Sequence, residues 1–174
     1  MNQTSIFGFA ALVFFLIGLI PTNTRTIFPK FKTSFIHKII IKGRRDIGLA
    51  SFFLGVGHAY FILRHGNFDF ADLQTIKNFL SGIILGISFI IMAITSNQES
   101  QKKLGIANWR KLHHWLSYIG LFTLSWHVLA KMSGHYTIFT WLSLVLLTTI
   151  SLLYSLRKDV EFQFFNPINP KQKD

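Results

Sequence analysis

Five apolar runs, each close to the length that crosses a bilayer, constrain this chain more than any other feature of its sequence. They cover about residues 6–20, 47–63, 79–95, 112–130 and 138–156. A helix needs roughly 20 mainly apolar residues to cross the hydrocarbon core, and inside that core only helices and closed barrels satisfy their backbone hydrogen bonds. We therefore predict an all-α integral membrane protein, a bundle of about five transmembrane helices.

The runs also divide the chain. We expect an N-terminal transmembrane helix and basic cytoplasmic linker at 1–46, a three-helix core at 47–131, a last transmembrane helix at 132–156 and a polar cytoplasmic tail at 157–174. A cleaved signal peptide is the alternative for the first run. Because that run lacks a basic leading region and a small-residue cleavage site, we expect it to be retained and to end at Pro21.

Basic residues follow the first, third and fifth runs: Arg25, Lys30, Lys32, Lys38, Lys42, Arg44, Arg45, Lys102, Lys103, Arg110, Lys111, Arg157 and Lys158. Cytoplasmic loops carry an excess of Lys and Arg. The pattern therefore predicts an external N-terminus and a cytoplasmic C-terminus, in a bacterial inner membrane. The net charge of +11 is then explained by contact with anionic membrane lipid, and we expect no nucleic acid partner.

The chain contains no cysteine. This excludes disulfides, thiolate ligation of haem, cysteine-ligated iron–sulfur clusters and a cysteine nucleophile. Phosphate-binding, dinucleotide-binding and zinc-protease motifs are also missing from the sequence. The residues that could carry chemistry are the histidines.

His58 and His127 are expected at matched depth in the outer half of the membrane. His58 lies thirteen residues, or about 20 Å, beyond Arg45 along a helix. His127 lies sixteen residues, or about 24 Å, beyond Lys111 on a helix that crosses in the same direction. A bis-histidine haem needs such a pair on facing helices, and ionisable residues inside a bilayer favour a function. We predict a shared haem; a pair of hydrogen-bonded structural histidines is the alternative.

The inner end of the fourth run carries His113 and His114. His113, fourteen residues before His127, shares its helix face, whereas His114 points roughly 140° away from it. The corresponding residues of the second run are Arg44 and Arg45, so a second haem would need an unusual ligand or an open axial position. Either histidine could instead be an interfacial anchor. One haem is expected and two remain an option.

Arg44, Arg45 and Arg110 form, with His113, a cationic rim suited to haem propionates, to a flavin or to a quinone at the cytoplasmic side. The excess of Lys and Arg in cytoplasmic loops is, however, sufficient by itself to account for these arginines at this end of the helices. Among the remaining histidines, His65 and His135 are candidates for an external metal or substrate contact. His37 is expected at the membrane surface.

The run RRDIGLASFFLGVGH at 44–58 resembles the Arg-Arg-x-hydrophobic-Gly-Leu…Phe-Phe…His helix of the ferric reductase-like transmembrane family. The stretch from Thr95 to His127 is similar to that family's Thr-Ser…Leu-Gly…Trp-x-x-Leu-His…Tyr…His segment. His113 fits the Trp-x-x-Leu-His part, whereas His114 has the better spacing to Tyr118. Over about 43–131 the chain looks most similar to the haem-binding membrane subunit of the bacterial methionine-sulfoxide reductase system.

The resemblance implies b-type haem and electron transfer across the membrane, without the flavin- and nicotinamide-binding region of the larger ferric reductases. We expect a separate cytoplasmic reductase, flavin or quinol as the donor. Ferric ion, another metal or a partner oxidoreductase would be the external acceptor. A non-redox membrane scaffold and a metal-ion carrier that uses His58, His65 and His127 are the alternatives.

Overall fold

The computed structural model describes residues 3–65, 71–132 and 137–165. These residues form α1 (Gln3–Ile27), a short 3-10 helix (Pro29–Thr33), α2 (Phe35–Lys42), α3 (Arg44–His65), α4 (Leu73–Ile94), α5 (Gln98–Leu104), α6 (Ile106–Met132) and α7 (Ile138–Phe165). No strand occurs in the part of the chain that is described. The prediction of an all-α membrane protein is confirmed.

Four helices are long and apolar enough to cross a membrane by length and composition: α1, α3, α4 and α7. The fifth long helix, α6, has 27 residues but does not meet the same composition criterion. Its first turns carry Arg110, Lys111, His113 and His114. It packs along α4 and also contacts α7, so it belongs to the same bundle as the apolar helices.

One predicted boundary is wrong. Pro21 does not end the first helix, because α1 continues to Ile27 with Pro21 inside it. An interior proline removes one backbone hydrogen bond, which helices in membrane bundles tolerate when neighbouring groups pack around the site; Pro21 is fully buried here. At the other end, α7 extends to Phe165, and its part that is long and apolar enough to cross a membrane ends at Lys158. His135 and residues 166–174 lie outside the described ranges.

The first helix lies at the centre of the bundle. It packs against α3 and α7 and supplies most of the buried core, which comprises Leu12, Phe15, Leu16, Leu19, Val128, Leu147 and Ile150. The other long helices turn large apolar side chains outward; Phe53, Phe122 and Ile138 are 66%, 75% and 72% exposed. An apolar exterior of this extent indicates a surface that contacts lipid.

A tight reversal between α5 and α6 sets the start of α6. Gly105, between the two helices, has φ of 75°, a conformation that glycine adopts without the steric penalty of a Cβ. Four residues later, the Trp109 indole Nε1–H donates to the carbonyl oxygen of Thr95 at 2.7 Å. This bond ties the beginning of α6 to the end of α4 and so fixes the position of the histidines that follow.

Candidate functional site

His58 of α3 and His127 of α6 lie side by side in the structure. Their ring centroids are 6.4 Å apart and the ring planes are inclined at 83°. Both residues are partly buried within the bundle. The two residues that the sequence places at matched depth are therefore brought together by the fold.

Hydrogen bonding fixes the tautomer of His58. Its Nδ1 lies 2.7 Å from the carbonyl oxygen of Thr4, on α1. A carbonyl oxygen can only accept, so Nδ1 carries the hydrogen and donates it. The lone pair is therefore on Nε2, the nitrogen that a metal ion would bind.

His127 has the same tautomer for a related reason. Its Nδ1 lies 2.8 Å from Ser81 Oγ of α4. Ser81 Oγ donates its one hydrogen to the carbonyl oxygen of Asn78 at 2.8 Å, so it accepts from Nδ1–H of His127. Among the described residues, no hydrogen bond reaches Nε2 of His58 or of His127. Metal-binding histidines usually donate the hydrogen of one ring nitrogen to a neighbouring acceptor and bind the metal through the other nitrogen.

The separation of the rings fits a shared metal ion. Two imidazoles bound to one ion through bonds of about 2 Å place their centroids roughly 6 Å apart, and the observed separation is 6.4 Å. Perpendicular ring planes are compatible with this, since each ring can rotate about its own metal–nitrogen bond. The residues present therefore fit the bis-histidine haem that the sequence predicts.

The opposite end of the bundle contains a cavity of about 650 Å³. Its wall is formed mainly by α1, α3, α4, α6 and α7, with one residue each from α2 and α5. It includes five of the predicted site residues: Arg44, Arg45, Arg110, His113 and His114. The volume lies within the range of pockets that bind cofactors and other small molecules. His58 and His127 do not line this cavity, so the predicted site residues form two separate groups.

His113 is held against α4 by its own hydrogen bond. Its Nε2 lies 2.8 Å from Thr95 Oγ1, and Thr95 Oγ1 donates its hydrogen to the carbonyl oxygen of Ile91 at 2.6 Å. His113 therefore donates from Nε2–H, and its ring packs on Trp109 with centroids 4.4 Å apart. A metal ion at Nε2 would have to replace the bond to Thr95.

His114 turns toward α7 instead. Its ring centroid is 4.3 Å from that of Tyr118, which in turn lies 4.8 Å from Tyr154 of α7. The two adjacent histidines thus face different helices, in agreement with the divergence expected from helical geometry. Both still line the same cavity.

The remaining histidines lie apart from these two groups. His65 is exposed at the end of α3, where its Nδ1 lies 3.2 Å from the carbonyl oxygen of Phe61. His37, which the sequence predicts at the membrane surface, is only 3% exposed and packs edge-on against Phe31. Across the described ranges 3–65, 71–132 and 137–165, no three His, Cys, Asp or Glu side chains are grouped to hold a metal ion. A three-histidine site that includes His65 is therefore not formed.

Sequence reasoning did not identify several groups that shape the two ends. Around the pair of His58 and His127, these groups belong to Thr4, Gly8 and Ser81. At the cavity they belong to Tyr154 and Arg157. Ser81 is a polar residue in an apolar run, so the sequence alone could have indicated that its side chain has a partner. Thr4 contributes a backbone carbonyl oxygen, which every residue has, so its role could not be predicted from the sequence.

Comparison with known sequences supports one family. The ferric reductase like transmembrane component family matches residues 7–124, a range that includes His58, His113 and His114 and stops just before His127. Comparisons with curated proteins and with solved structures give no significant match. Because the family match covers more than half of the chain and the helical bundle agrees with it, this protein belongs to the ferric reductase-like transmembrane component family.

Proposed function

We propose that this protein is a b-type haem membrane subunit that carries electrons across the bilayer from a cytoplasmic or quinol donor to an external acceptor. The family indicates a membrane electron-transfer component. The observation that carries the haem assignment is the pairing of His58 and His127 at 6.4 Å, each with Nδ1 engaged and Nε2 without a hydrogen-bond partner in the described residues.

His58 and His127 would hold the haem iron. Haem b would supply, when bound, a one-electron couple between ferric and ferrous iron. Because both residues would be occupied as ligands, the pair suits electron transfer rather than chemistry on a bound substrate. Thr4 and Ser81 keep the two imidazoles in one tautomer and one orientation.

The cavity at the other end is the proposed entry point for electrons. Arg44, Arg45 and Arg110 give its wall a positive charge, and Trp109 and His113 add flat aromatic surfaces. Guanidinium groups bind carboxylates and phosphates in paired hydrogen bonds and stack on aromatic rings. This lining suits a planar redox group that carries anionic substituents, such as a flavin or the propionate side of a second haem. The guanidinium groups could equally donate hydrogen bonds to the carbonyl oxygens of a quinone head group.

The charge distribution supports the proposed orientation. The basic residues on the wall of the cavity come from three helices, α3, α6 and α7. We assign this end to the cytoplasmic side of a bacterial inner membrane, where basic residues favour anionic lipid. A separate cytoplasmic reductase or a quinol would deliver electrons there. Ferric ion, another metal or a partner oxidoreductase would receive them outside.

A non-redox scaffold is the main alternative. Structural histidines would also make hydrogen bonds. A pair kept only for packing, however, has no reason to donate both Nδ1 hydrogens to other residues, Thr4 and Ser81, and to leave both Nε2 atoms without a hydrogen-bond partner among the described residues. A histidine-based metal-ion carrier gains less support, because no group of three ligands occurs in the described part of the chain.

The first test is optical. Protein purified from membranes in detergent is expected to be red and, after reduction with dithionite, to give the spectrum of low-spin b-type haem. A double variant, His58→Ala with His127→Ala, serves as the control and should lose this spectrum. A folded, colourless preparation that does not take up added haem would overturn the proposal.

A finer test uses two buried serines of α4. Ser81 accepts from His127, whereas Ser88 donates only to the carbonyl oxygen of Ile84 at 2.9 Å. An acceptor at Nδ1–H makes an imidazole a stronger ligand, and loss of such a partner weakens metal binding by about 10-fold or more. We expect Ser81→Ala to lower haem affinity on this scale and to raise the reduction potential.

Ser88→Ala is the matched control, because it removes a buried hydroxyl from the same helix without contact to either histidine. It should leave affinity and potential unchanged. Equal values for Ser81→Ala and Ser88→Ala, measured by haem titration and redox titration, would show that Ser81 has no influence on the ligand.

A further inference from the structure

We propose that Gly8 of α1 is a positioning residue for His58, an inference that rests on the proposed haem function. The backbone of α1 at Gly8 forms a notch that receives the imidazole ring. The carbonyl oxygen of Thr4, one turn earlier on the same helix face, accepts the Nδ1 hydrogen of that ring at 2.7 Å. The first helix therefore supplies both the surface and the hydrogen-bond acceptor that orient the ligand.

The notch exists only because residue 8 has no side chain. A Cβ at Gly8 would lie 2.8 Å from Cε1 and 2.8 Å from Nδ1 of His58. These separations are well inside van der Waals contact, which for carbon atoms begins near 3.5 Å. An alanine at this position therefore requires the ring, the helix or both to move.

The ring is tied to α1 by the hydrogen bond from Nδ1 to the carbonyl oxygen of Thr4 at 2.7 Å, and the ring of His127 lies 6.4 Å away. A displacement that moves the ring away from residue 8 strains or breaks the bond to Thr4, which lies on the same helix, and changes the separation from His127. Either change removes Nε2 from the position at which it could share a metal ion with His127.

Separation of the two helices would relieve the clash but would remove packing contacts between them. A reciprocal notch lies next to His58, where a Cβ at Gly57 of α3 would be 2.7 Å from Cδ1 of Phe7. The Phe7 ring is itself packed on Phe61 with centroids 5.2 Å apart. Glycines that receive side chains let two membrane helices pack closely, so a movement of α1 away from α3 would lose the contacts of Phe7.

The first experiment compares Gly8→Ala with Gly18→Ala in the full-length, haem-loaded protein. Gly18 lies on the same helix, but a Cβ there would be 4.0 Å from the nearest side-chain atom, Cγ2 of Ile47. We expect Gly8→Ala to lose most of the low-spin bis-histidine signal in optical and electron paramagnetic resonance spectra. Gly18→Ala should keep the wild-type signal.

A second pair of variants keeps the test valid if Gly8→Ala does not fold. His58→Gly removes the clashing ring, and free imidazole added to the haem-loaded protein should occupy the vacated space and restore the low-spin spectrum. With Gly8→Ala added to His58→Gly, the methyl group narrows that space. Imidazole should then bind about tenfold more weakly, the scale of overpacking by one methyl group. Gly18→Ala added to His58→Gly should not change imidazole binding.

The outcomes separate the two proposals. Wild-type protein that takes up no haem overturns the proposed function. Wild-type protein with bis-histidine haem, together with equal spectra for Gly8→Ala and Gly18→Ala, overturns the role of Gly8. If Gly8→Ala does not fold, equal imidazole affinity in His58→Gly with and without Gly8→Ala overturns that role.

Discussion

Replacement of either His58 or His127 with alanine is expected to abolish the low-spin haem signal while the protein still inserts in the membrane. The expectation follows from the shared site, since neither ring can bind an ion from both sides alone. The buried core contains Leu12, Phe15 and Leu147 and neither of the two histidines, so we expect the loss to be confined to the cofactor. Optical and electron paramagnetic resonance spectra of the two single variants measure the effect.

His65→Ala is the appropriate control, because that residue is exposed at the end of the same helix as His58. It should keep the full spectrum. If His58→Ala and His127→Ala both retain a complete bis-histidine spectrum, these two residues are not the ligands. If only one of them retains it, the ligand pair includes a different residue.

The sequence was sufficient to predict that His58 and His127 could meet. A helix has a fixed rise per residue, and the basic loops give each helix a direction. Those two rules were enough to place His58 and His127 at one level, and the structure brings them together. They also separated His113 and His114 onto different faces of α6.

The rotation of each helix about its axis could not be predicted in the same way. In a soluble protein the apolar face of a helix points to the core, but in lipid both faces are apolar, and α3 shows this clearly with Phe53 and Val56 exposed. The types of residue in α1 therefore do not predict that Gly8 and Thr4 face His58. The participation of α1 in the site is visible only in the fold.

Local sequence rules failed where the surrounding packing decides the outcome. Pro21 was expected to end a helix, yet it lies inside α1, because burial within the bundle stabilises the turn that the proline weakens. The burial that decides this outcome is provided by the surrounding helices, which a local rule does not include.

At the cavity, His113→Ala is expected to slow reduction from the cytoplasmic side without removing the His58–His127 haem. His113 lines the cavity and is oriented by Thr95 and Trp109. Its loss would remove a polar, aromatic group from the wall, where a flavin, a quinone or a second haem would bind. We expect a slower reduction rate and, if a second haem is present, a lower haem content.

His114→Ala should have the smaller effect. His114 is exposed and packs on Tyr118 rather than on α4, so its ring is more remote from the His113–His127 face of α6. Haem stoichiometry and stopped-flow reduction of inverted membrane vesicles, measured on both variants, test the difference. If His114→Ala loses haem and His113→Ala does not, His114 is the ligand at this end. The spacing to Tyr118 would then be the better guide to the site, and the bond between His113 and Thr95 would be structural.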